Sequence, residues 1–536
     1  MKEHRIFGPP GTGKTTYLSR QIELAAQKHG RDGILVASYT KTAAEELVSR
    51  ETSLPMDAIG TLHAFCYRAI GMPTIAETKI EEFNEANPHY KLTLQKDEEA
   101  AAEGRYITDA DKLFSKYTLQ RARLHPLEAL DHLTQGFMHA WESWKLANSY
   151  VDFADMIDFA ILFDTPPPGN REVGFYDEAQ DFNALELKLV RKWAEKQEYV
   201  LLAGDDDQAL FSFSGASADA FLNPPVPDAQ KRVLSQSWRV PRAVHTLAEA
   251  WIKQLTRREP KEYKPREAEG AVIRATAQYS APANAIKMAK EYIADGKTVM
   301  FLTSCGYMLN PIKSALRAEG LPFHNPYKKK RGDLNPLGVF GGNGKITYAK
   351  DRLLCFLNEN GPKHNGVAYW SIGDIAKWSD ILSTKGIMKR GAKTRIEEAE
   401  EQGYLLRGDE IATFFDECFE DHARDQLLAR NIEWFYNKIL PAKTGPVGFA
   451  KTVYHNYGTK GLTEKPQIIL STIHGSKGGE ADVVFLFPDL SVQGFKELNK
   501  GGEGKDAIIR MMYVGMTRAR ESLIIGRPSA SMFIRI

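Results

Sequence analysis

The sequence predicts an α/β protein of parallel sheets with crossover helices, arranged as two lobes that each hold a helical insertion. Three observations predict this. First, the apolar pair Ile6-Phe7 runs into Gly8-Pro9-Pro10-Gly11-Thr12-Gly13-Lys14-Thr15-Thr16, which fits G-x-x-x-x-G-K-[ST], and a helical run from Thr15 to Gln27 follows directly. Second, short apolar strands alternate with helical stretches before and after a central break, the pattern of strands joined by crossovers. Third, Asp177-Glu178 and Asp205-Asp206-Asp207-Gln208 each follow an apolar strand at its C-terminal end, where open α/β sheets keep their ligands.

Taken in order, the first block has strands at Ile34 to Ala37 and Ala58-Ile59, with helices from about Thr42 to Arg50 and from Leu62 to Ile70. From Glu77 to Tyr150 charged and alanine-rich segments at helical spacing predict a helical insertion without strands. After the breaker Asp164 to Gly169, strands are expected at Val173 to Tyr176 and Tyr199 to Ala203, and Asn223 to Pro227 reads as a linker. A second α/β pattern follows: strand Ala271 to Ala275, helix Ala283 to Asp295, strand Val299 to Leu302, helix Leu309 to Glu319. Lys328 to Arg331 interrupts it, residues 331–457 read as a second, mainly helical insertion, and strands return at Gln467 to Ser471, Val483 to Phe487 and Leu523 to Ile525. Gly501 to Lys505 lacks a strand–loop–helix context and reads as a flexible loop. The domain division expected is 1–76 with 151–222, the insertion 77–150, 223–330 with 458–536, and the insertion 331–457.

A net charge of +1 gives no global pull toward nucleic acid, so any binding must come from a local groove. Cys66, Cys305, Cys355 and Cys418 lie far apart with no C-x-x-C pair, which argues against a zinc site or disulfide framework and suits a reducing compartment. No apolar run reaches membrane-spanning length and no signal peptide precedes the loop, so a soluble, cytoplasmic protein with no membrane partner is expected.

The glycine-rich stretch is the phosphate site. Gly8, Gly11, Thr12 and Gly13 let successive backbone N–H groups turn inward around phosphate oxygens, and the following helix, opening with Thr15 and Thr16, aims its positive end at the same place. Lys14 can reach the outer phosphates and the Thr15 hydroxyl can ligate Mg²⁺. Asp177 is the matching carboxylate for Mg²⁺, and Glu178 can orient and deprotonate a hydrolytic water. The cofactors expected are ATP and Mg²⁺.

Further segments, in order, resemble superfamily 1 helicases of the UvrD/Rep/PcrA type. They are Ser38 to Ala44, Gly60-Thr61-Leu62-His63-Ala64-Phe65, Asp152-Phe153-Ala154-Asp155, Gly204 to Ala216, Gln236-Ser237-Trp238-Arg239, Thr472 to Glu480, and Tyr513-Val514-Gly515-Met516-Thr517-Arg518-Ala519. The resemblance implies two RecA-like domains and assigns roles by position. Gln208 reads the γ-phosphate, Arg239 and Arg518 stabilise its charge in the transition state, and Trp238 stacks on the base. Glu480 touches the ribose or a nearby water, a solvated loop acid being the other reading. Tyr39, Thr61, His63, Phe211, Phe213 and His474 line a single-strand groove, where aromatics stack without reading sequence. Core packing is the alternative to a groove role for Phe65 and turn capping the alternative for His474, while the basic run Lys328 to Arg331 reads equally as a grip on phosphates or as a solvated charge run.

Departures from the family pattern accompany the likeness. The glutamine-bearing segment that reads adenine has no counterpart before Gly8, Thr16 stands where an arginine is common, and Ser214 replaces another. The chain ends shortly after Arg518, so no nuclease or partner-binding tail is expected. The function implied is an ATP-dependent DNA helicase or single-strand translocase moving 3′ to 5′. Its expected partners are single-stranded DNA and single/double-strand junctions, with a repair or replication protein as a further partner and a monomeric state. An ATP-driven nucleic-acid-binding switch and an RNA helicase remain alternatives.

Overall fold

A computed structural model describes residues 2–39, 54–95, 107–169, 171–328, 332–338, 349–359, 363–364, 367–403 and 408–536. The helix expected over Thr42 to Arg50 and most of the basic run, Lys329 to Arg331, lie outside the described residues. The chain divides into two compact units, one of residues 1–276, 302–308 and 472–536, the other of residues 277–301 and 309–471.

The first unit is organised by a six-stranded parallel sheet. Its strands are β1 (Glu3–Phe7), β2 (Ile34–Ser38), β3 (Ile59–Gly60), β4 (Val173–Asp177), β5 (Tyr199–Gly204) and β6 (Lys231–Val233), in the order β3-β2-β4-β5-β1-β6. Parallel strands are covered on both faces, so β2 reads as a continuous apolar run, Ile34-Leu35-Val36-Ala37, buried throughout. Successive side chains point to opposite faces. Ile34 and Val36 therefore pack with Leu18, Ile22 and Ala25 of the helix Lys14–His29. Leu35 and Ala37 pack with Leu62 and Phe65, with Met156 and Ile157, and with Leu189 and Trp193. Phe65 is thus a core residue. The register pairs Ser38 with Asp177 and Phe7 with Gly204, which brings the ends of β1, β2, β4 and β5 to one edge.

Two expectations change here. The stretch Asn223 to Pro227 is tied down: Arg5 donates to Leu222 O at 2.7 Å and to Pro224 O at 2.6 Å, and the chain then adds β6 to the first sheet beside β1. A parallel pair, β7 (Gln236–Pro241) and β8 (Lys264–Arg266), has no counterpart in the sequence reading. The expected flexible loop Gly501 to Lys505 is instead a turn at Gly501, φ 73°, and the start of the helix Gly502–Met516. The first unit also holds β9 (Ala271–Arg274), β15 (Ala481–Leu486) and β16 (Ala519–Ile525), parallel with β16 in the middle.

The second unit contains β10 (Val299–Thr303, its last two residues in the first unit), β11 (Phe323–His324) and β14 (Ile468–Thr472, Thr472 in the first unit), with β11 parallel to β14. A short antiparallel pair, β12 (Lys363–His364) with β13 (Val367–Ala368), and helices between Ala349 and Thr463 make up the rest. The parallel α/β class with helical insertions is what the chain adopts. No helix among the described residues is long and apolar enough to cross a membrane.

The insertion after Glu77 packs the helices Ile80–Ala86, Asp109–Ala122 and His132–Asn148 around Phe83, Phe137, Trp141 and Trp144. Its anchor is the Asp152-Phe153-Ala154-Asp155 segment. Asp152 accepts from Lys145 Nζ at 2.6 Å, Arg121 Nη1 at 3.0 Å and Trp141 Nε1 at 3.1 Å, and Lys145 also reaches Asp155 at 2.6 Å. Glu142, Asp152 and Asp155 stand close enough to hold a metal ion, but Lys145 already sits among all three. Asp152→Asn should therefore lower the urea-unfolding free energy by about 3 kcal/mol, because removing one partner leaves buried cations underpaired. ATP turnover per folded molecule should not change; an unaltered unfolding midpoint would show that the network is solvated.

Candidate nucleotide cleft and nucleic-acid interface

The loop after β1 is held open by its own backbone and by β7 behind it. Gly8 N–H donates to Gly204 O at 2.9 Å, and Thr12 Oγ1 donates to Pro9 O at 2.8 Å. Gly13 caps the helix Lys14–His29 with φ 77° and no side-chain bond, so the first helical N–H groups face the loop. Gly11, φ +74°, lies so close to β7 that a Cβ there would stand 2.4 Å from Arg239 Cβ. Along this contact Ser237 Oγ donates to Pro10 O at 2.9 Å and Trp238 N–H to Gly11 O at 2.8 Å. Thr15 is half-buried and Thr16 exposed in the first helical turn.

The acid pair faces the lysine. Lys14 Nζ is 2.7 Å from Glu178 Oε1 and 3.9 Å from Asp177 Oδ1. Burial opposes the charge on Lys14, but Glu178 and Asp177 outweigh it and raise its pKa. Burial pushes Asp177 up to about 6 despite Lys14, whereas for Glu178 burial is overcome by Lys14 and Lys477 and the carboxyl falls well below its usual range. Glu178 has left-handed backbone, φ 53°, a strained conformation for a non-glycine residue that functional turns often store. Gln180 Nε2 donates to Glu178 Oε2 at 2.6 Å and fixes its second oxygen. Thr15 and Asp177 are hard oxygen donors and fit Mg²⁺ in kind.

The remaining cleft residues form two linked groups. Arg518 is buried and donates to Gln208 Oε1 at 2.9 Å, to Gly479 O at 3.2 Å and to Val514 O at 2.9 Å. Arg239 Nε donates to Glu480 Oε2 at 2.6 Å, and Arg520 Nη1 takes the other oxygen at 2.9 Å. Burial works against the Glu480 charge, but the two arginines lower its pKa. Trp238 is 72% exposed beside the loop.

On the groove side, Tyr39 and Phe211 stack on each other at 4.9 Å and 21°, and Tyr39 OH lies 3.3 Å from Ser214 Oγ. His474 tilts over Phe211 at 6.5 Å. Thr61 caps the helix Leu62–Ala69 by accepting from Ala64 N–H at 3.2 Å. His63 meets Phe153 edge-on and stands 3.5 Å from Glu186. The side chain of Phe213 lies outside the described residues.

Sequence reasoning gave no role to Lys477, though it stands inside a quoted segment. Its ammonium bonds Asp181, donates to Gln208 O at 3.0 Å, lies 3.7 Å from Glu178 Oε2 and sits 5.4 Å from the centre of the Phe211 ring. Tyr263, whose hydroxyl donates to Pro10 O at 2.8 Å, was also missed, since nothing local marks it.

Comparison with known proteins follows the same residues. The UvrD/REP helicase N-terminal domain matches residues 2–225 and the UvrD-like helicase C-terminal domain matches residues 404–529. The chain is 26% identical over 303 residues to ATP-dependent DNA helicase PcrA of Bacillus subtilis (strain 168), covering 50% of this chain and 40% of that protein. It is 25% identical over 294 residues to a probable DNA helicase II homolog of Mycoplasma capricolum, covering 49% and 40%. To a probable DNA helicase II homolog of Mycoplasma pneumoniae it is 22% identical over 609 residues, covering 97% and 81%. The match thus spans 40% of the length of the first two relatives.

The His63–Glu186 contact makes a pH prediction. Burial raises Glu186 to about 7 and lowers His63 to about 4. A carboxyl raised on folding stabilises fully below its unfolded value and loses that contribution as pH rises through about 7. A lowered histidine loses stability in the other direction, as pH falls from 6.5 toward about 4. Glu186→Gln should therefore gain stability over wild type between pH 5 and 8, by on the order of 2 kcal/mol at the upper end. Thermal unfolding across that range checks it; a constant difference would contradict the assignment.

Proposed function

Because the chain belongs to the UvrD/Rep helicase family, we propose that it is an ATP-dependent motor that moves 3′ to 5′ on single-stranded DNA and unwinds duplex from a single/double-strand junction. The observation that carries this is the position of Lys477, which touches the acidic end of the nucleotide cleft and the aromatic platform Tyr39–Phe211 at once.

In this reading Lys14 turns from Glu178 to the outer phosphates of ATP. Glu178, released, accepts a proton from a water whose oxygen attacks the γ-phosphorus, while the bond from that phosphorus to the bridging oxygen breaks and ADP leaves. Gln208, Arg518 and Arg239 face the charge that builds on the transferred group. Mg²⁺, held by Thr15 and Asp177, would neutralise phosphate charge. Trp238 offers an exposed ring for the base, and Glu480 lies near the ribose. Tyr39, Thr61, His63, Phe211, Phe213 and His474 grip the strand without reading its sequence. Direction rests on family analogy alone. The four-domain division, action as a monomer, a cytoplasmic site and a repair or replication protein as partner belong to the same proposal.

ATP hydrolysis measured with single-stranded DNA, with RNA and with neither tests the reading: strong stimulation by DNA is expected, and indifference to nucleic acid overturns it. Glu178→Gln should keep ATP binding and lower kcat by about 10²- to 10⁴-fold. Near-normal turnover by that variant would remove Glu178 as the base. Duplexes with a 3′ or a 5′ tail decide direction, the 3′ tail being preferred.

A further inference from the structure

Between the helix Arg242–Ile252 and β8 the chain runs through Arg257-Arg258-Glu259-Pro260-Lys261-Glu262-Tyr263, a charged stretch with the composition of a solvated loop. It is folded onto the acidic turn after β5. Lys261 Nζ lies 3.0 Å from Asp205 Oδ1 and 3.0 Å from Asp207 Oδ2, bonds Asp206 as well, and its side chain is 1% exposed. Arg258 takes Asp207 with two bonds, at 3.0 and 2.7 Å, and Glu259 N–H donates to Asp206 Oδ2 at 2.8 Å. Two residues on, Tyr263 OH reaches Pro10 O of the phosphate loop.

Asp205 spends its other oxygen on the glutamine. Oδ2 accepts from Gln208 Nε2 at 2.7 Å, and Gln208 Oε1 accepts from Arg518 Nη2 at 2.9 Å. A side-chain amide has one donor end and one acceptor end. An ionised carboxylate can only accept, so it holds the NH₂ end and leaves the oxygen for the arginine. A protonated acid could donate to the amide oxygen instead, which would turn the NH₂ toward the guanidinium and set donor against donor.

We propose that Lys261 is a positioning residue for ATP hydrolysis: by pairing with Asp205 Oδ1 it holds the carboxylate whose other oxygen fixes the polarity of the Gln208 amide, and hence the acceptor that orients Arg518. This rests on the reading that Gln208 and Arg518 act on the terminal phosphate. The charged and titratable groups around Asp205 are Asp206 and Asp207 on its own turn, and Arg258, Lys261 and Tyr263 from the charged stretch. Arg510, Tyr513 and Arg518 come from the C-terminal helix and the turn after it, and Lys14 from the phosphate loop. Burial already pushes Asp206 up to about 6 with Lys261 in place. Removing that ammonium leaves burial and the charges of Asp207 and Asp205 to raise Asp206 further.

The test is Lys261→Met, which keeps the length of the side chain and removes the charge. At pH 7 kcat should fall about 10- to 100-fold, as for other outer groups that orient a functional side chain. The KM for ATP should stay within about threefold, because ground-state binding is not what Lys261 sets. The variant's kcat should climb between pH 6 and 9 more steeply than that of wild type, and adding Asp206→Asn should restore most of the loss at pH 7 by removing one competing acid. A pH-independent loss without rescue means a merely structural role and overturns the proposal. If Lys261→Met does not fold, Lys261→Met with Asp206→Asn carries the test alone, near-wild-type kcat supporting the proposal and a pH-independent deficit overturning it. Gln208→Ala separates the two layers: normal turnover sinks the underlying reading, whereas an inactive Gln208→Ala beside a wild-type-like Lys261→Met sinks only the role of Lys261.

Discussion

The candidate nucleotide cleft depends on one close approach of backbones. The phosphate loop lies against β7 with only the Gly11 hydrogen between it and Arg239, and Pro10 and Gly11 give their carbonyls to Ser237, Trp238 and Tyr263. Any side chain at Gly11 would push β7 away, and with it the segment that carries Trp238 and Arg239. Gly8 and Thr12 give their N–H groups to Gly204 O and Pro9 O, and the loop's outer carbonyls are satisfied from behind, so it is the first helical turn after Gly13 that presents N–H groups to a ligand. One constraint therefore shapes the phosphate cradle and places the arginine and the exposed indole beside it.

A second link runs from the cleft toward the groove. The Lys477 ammonium meets Asp181, Glu178 and the Gln208 carbonyl and lies 5.4 Å from the centre of the Phe211 ring. A cation shared between buried acids and an aromatic face responds to charge on either side. In the proposed function, phosphate drawing Lys14 away from Glu178 would change what Lys477 feels, and a base stacking on Phe211 would change what it covers. That would be the physical content of the proposed motor, in which hydrolysis alters grip.

Much of this was legible in the sequence because its signals are local. The phosphate loop, Asp177-Glu178 and the strands feeding them carry their chemistry within a few consecutive residues, and β2 and β5 are apolar enough to be read as buried strands. Two of the strands that were not legible, β6 and β8, are Lys231-Arg232-Val233 and Lys264-Pro265-Arg266, three residues each with no apolar alternation. They are strands because a neighbour's edge accepts them. Asn223 to Pro227 looked like a linker from its prolines, but the buried Arg5 that clamps it is far away in sequence. Lys261 and Lys477 look like surface charge in one dimension; only the fold brings acids to them. Thr61 reads from the sequence as a groove residue, while the geometry shows it also capping a helix.

In the proposed function, nucleotide and nucleic acid communicate through Lys477. The most direct measurement is the affinity for a fluorescent single-stranded oligonucleotide with and without a non-hydrolysable ATP analogue, in wild type and in Lys477→Met. The analogue should change wild-type affinity by roughly 5- to 150-fold, the usual range for coupled sites, and Lys477→Met should bring this ratio close to one while each ligand still binds alone. An unchanged wild-type affinity, or full coupling in the variant, would contradict it.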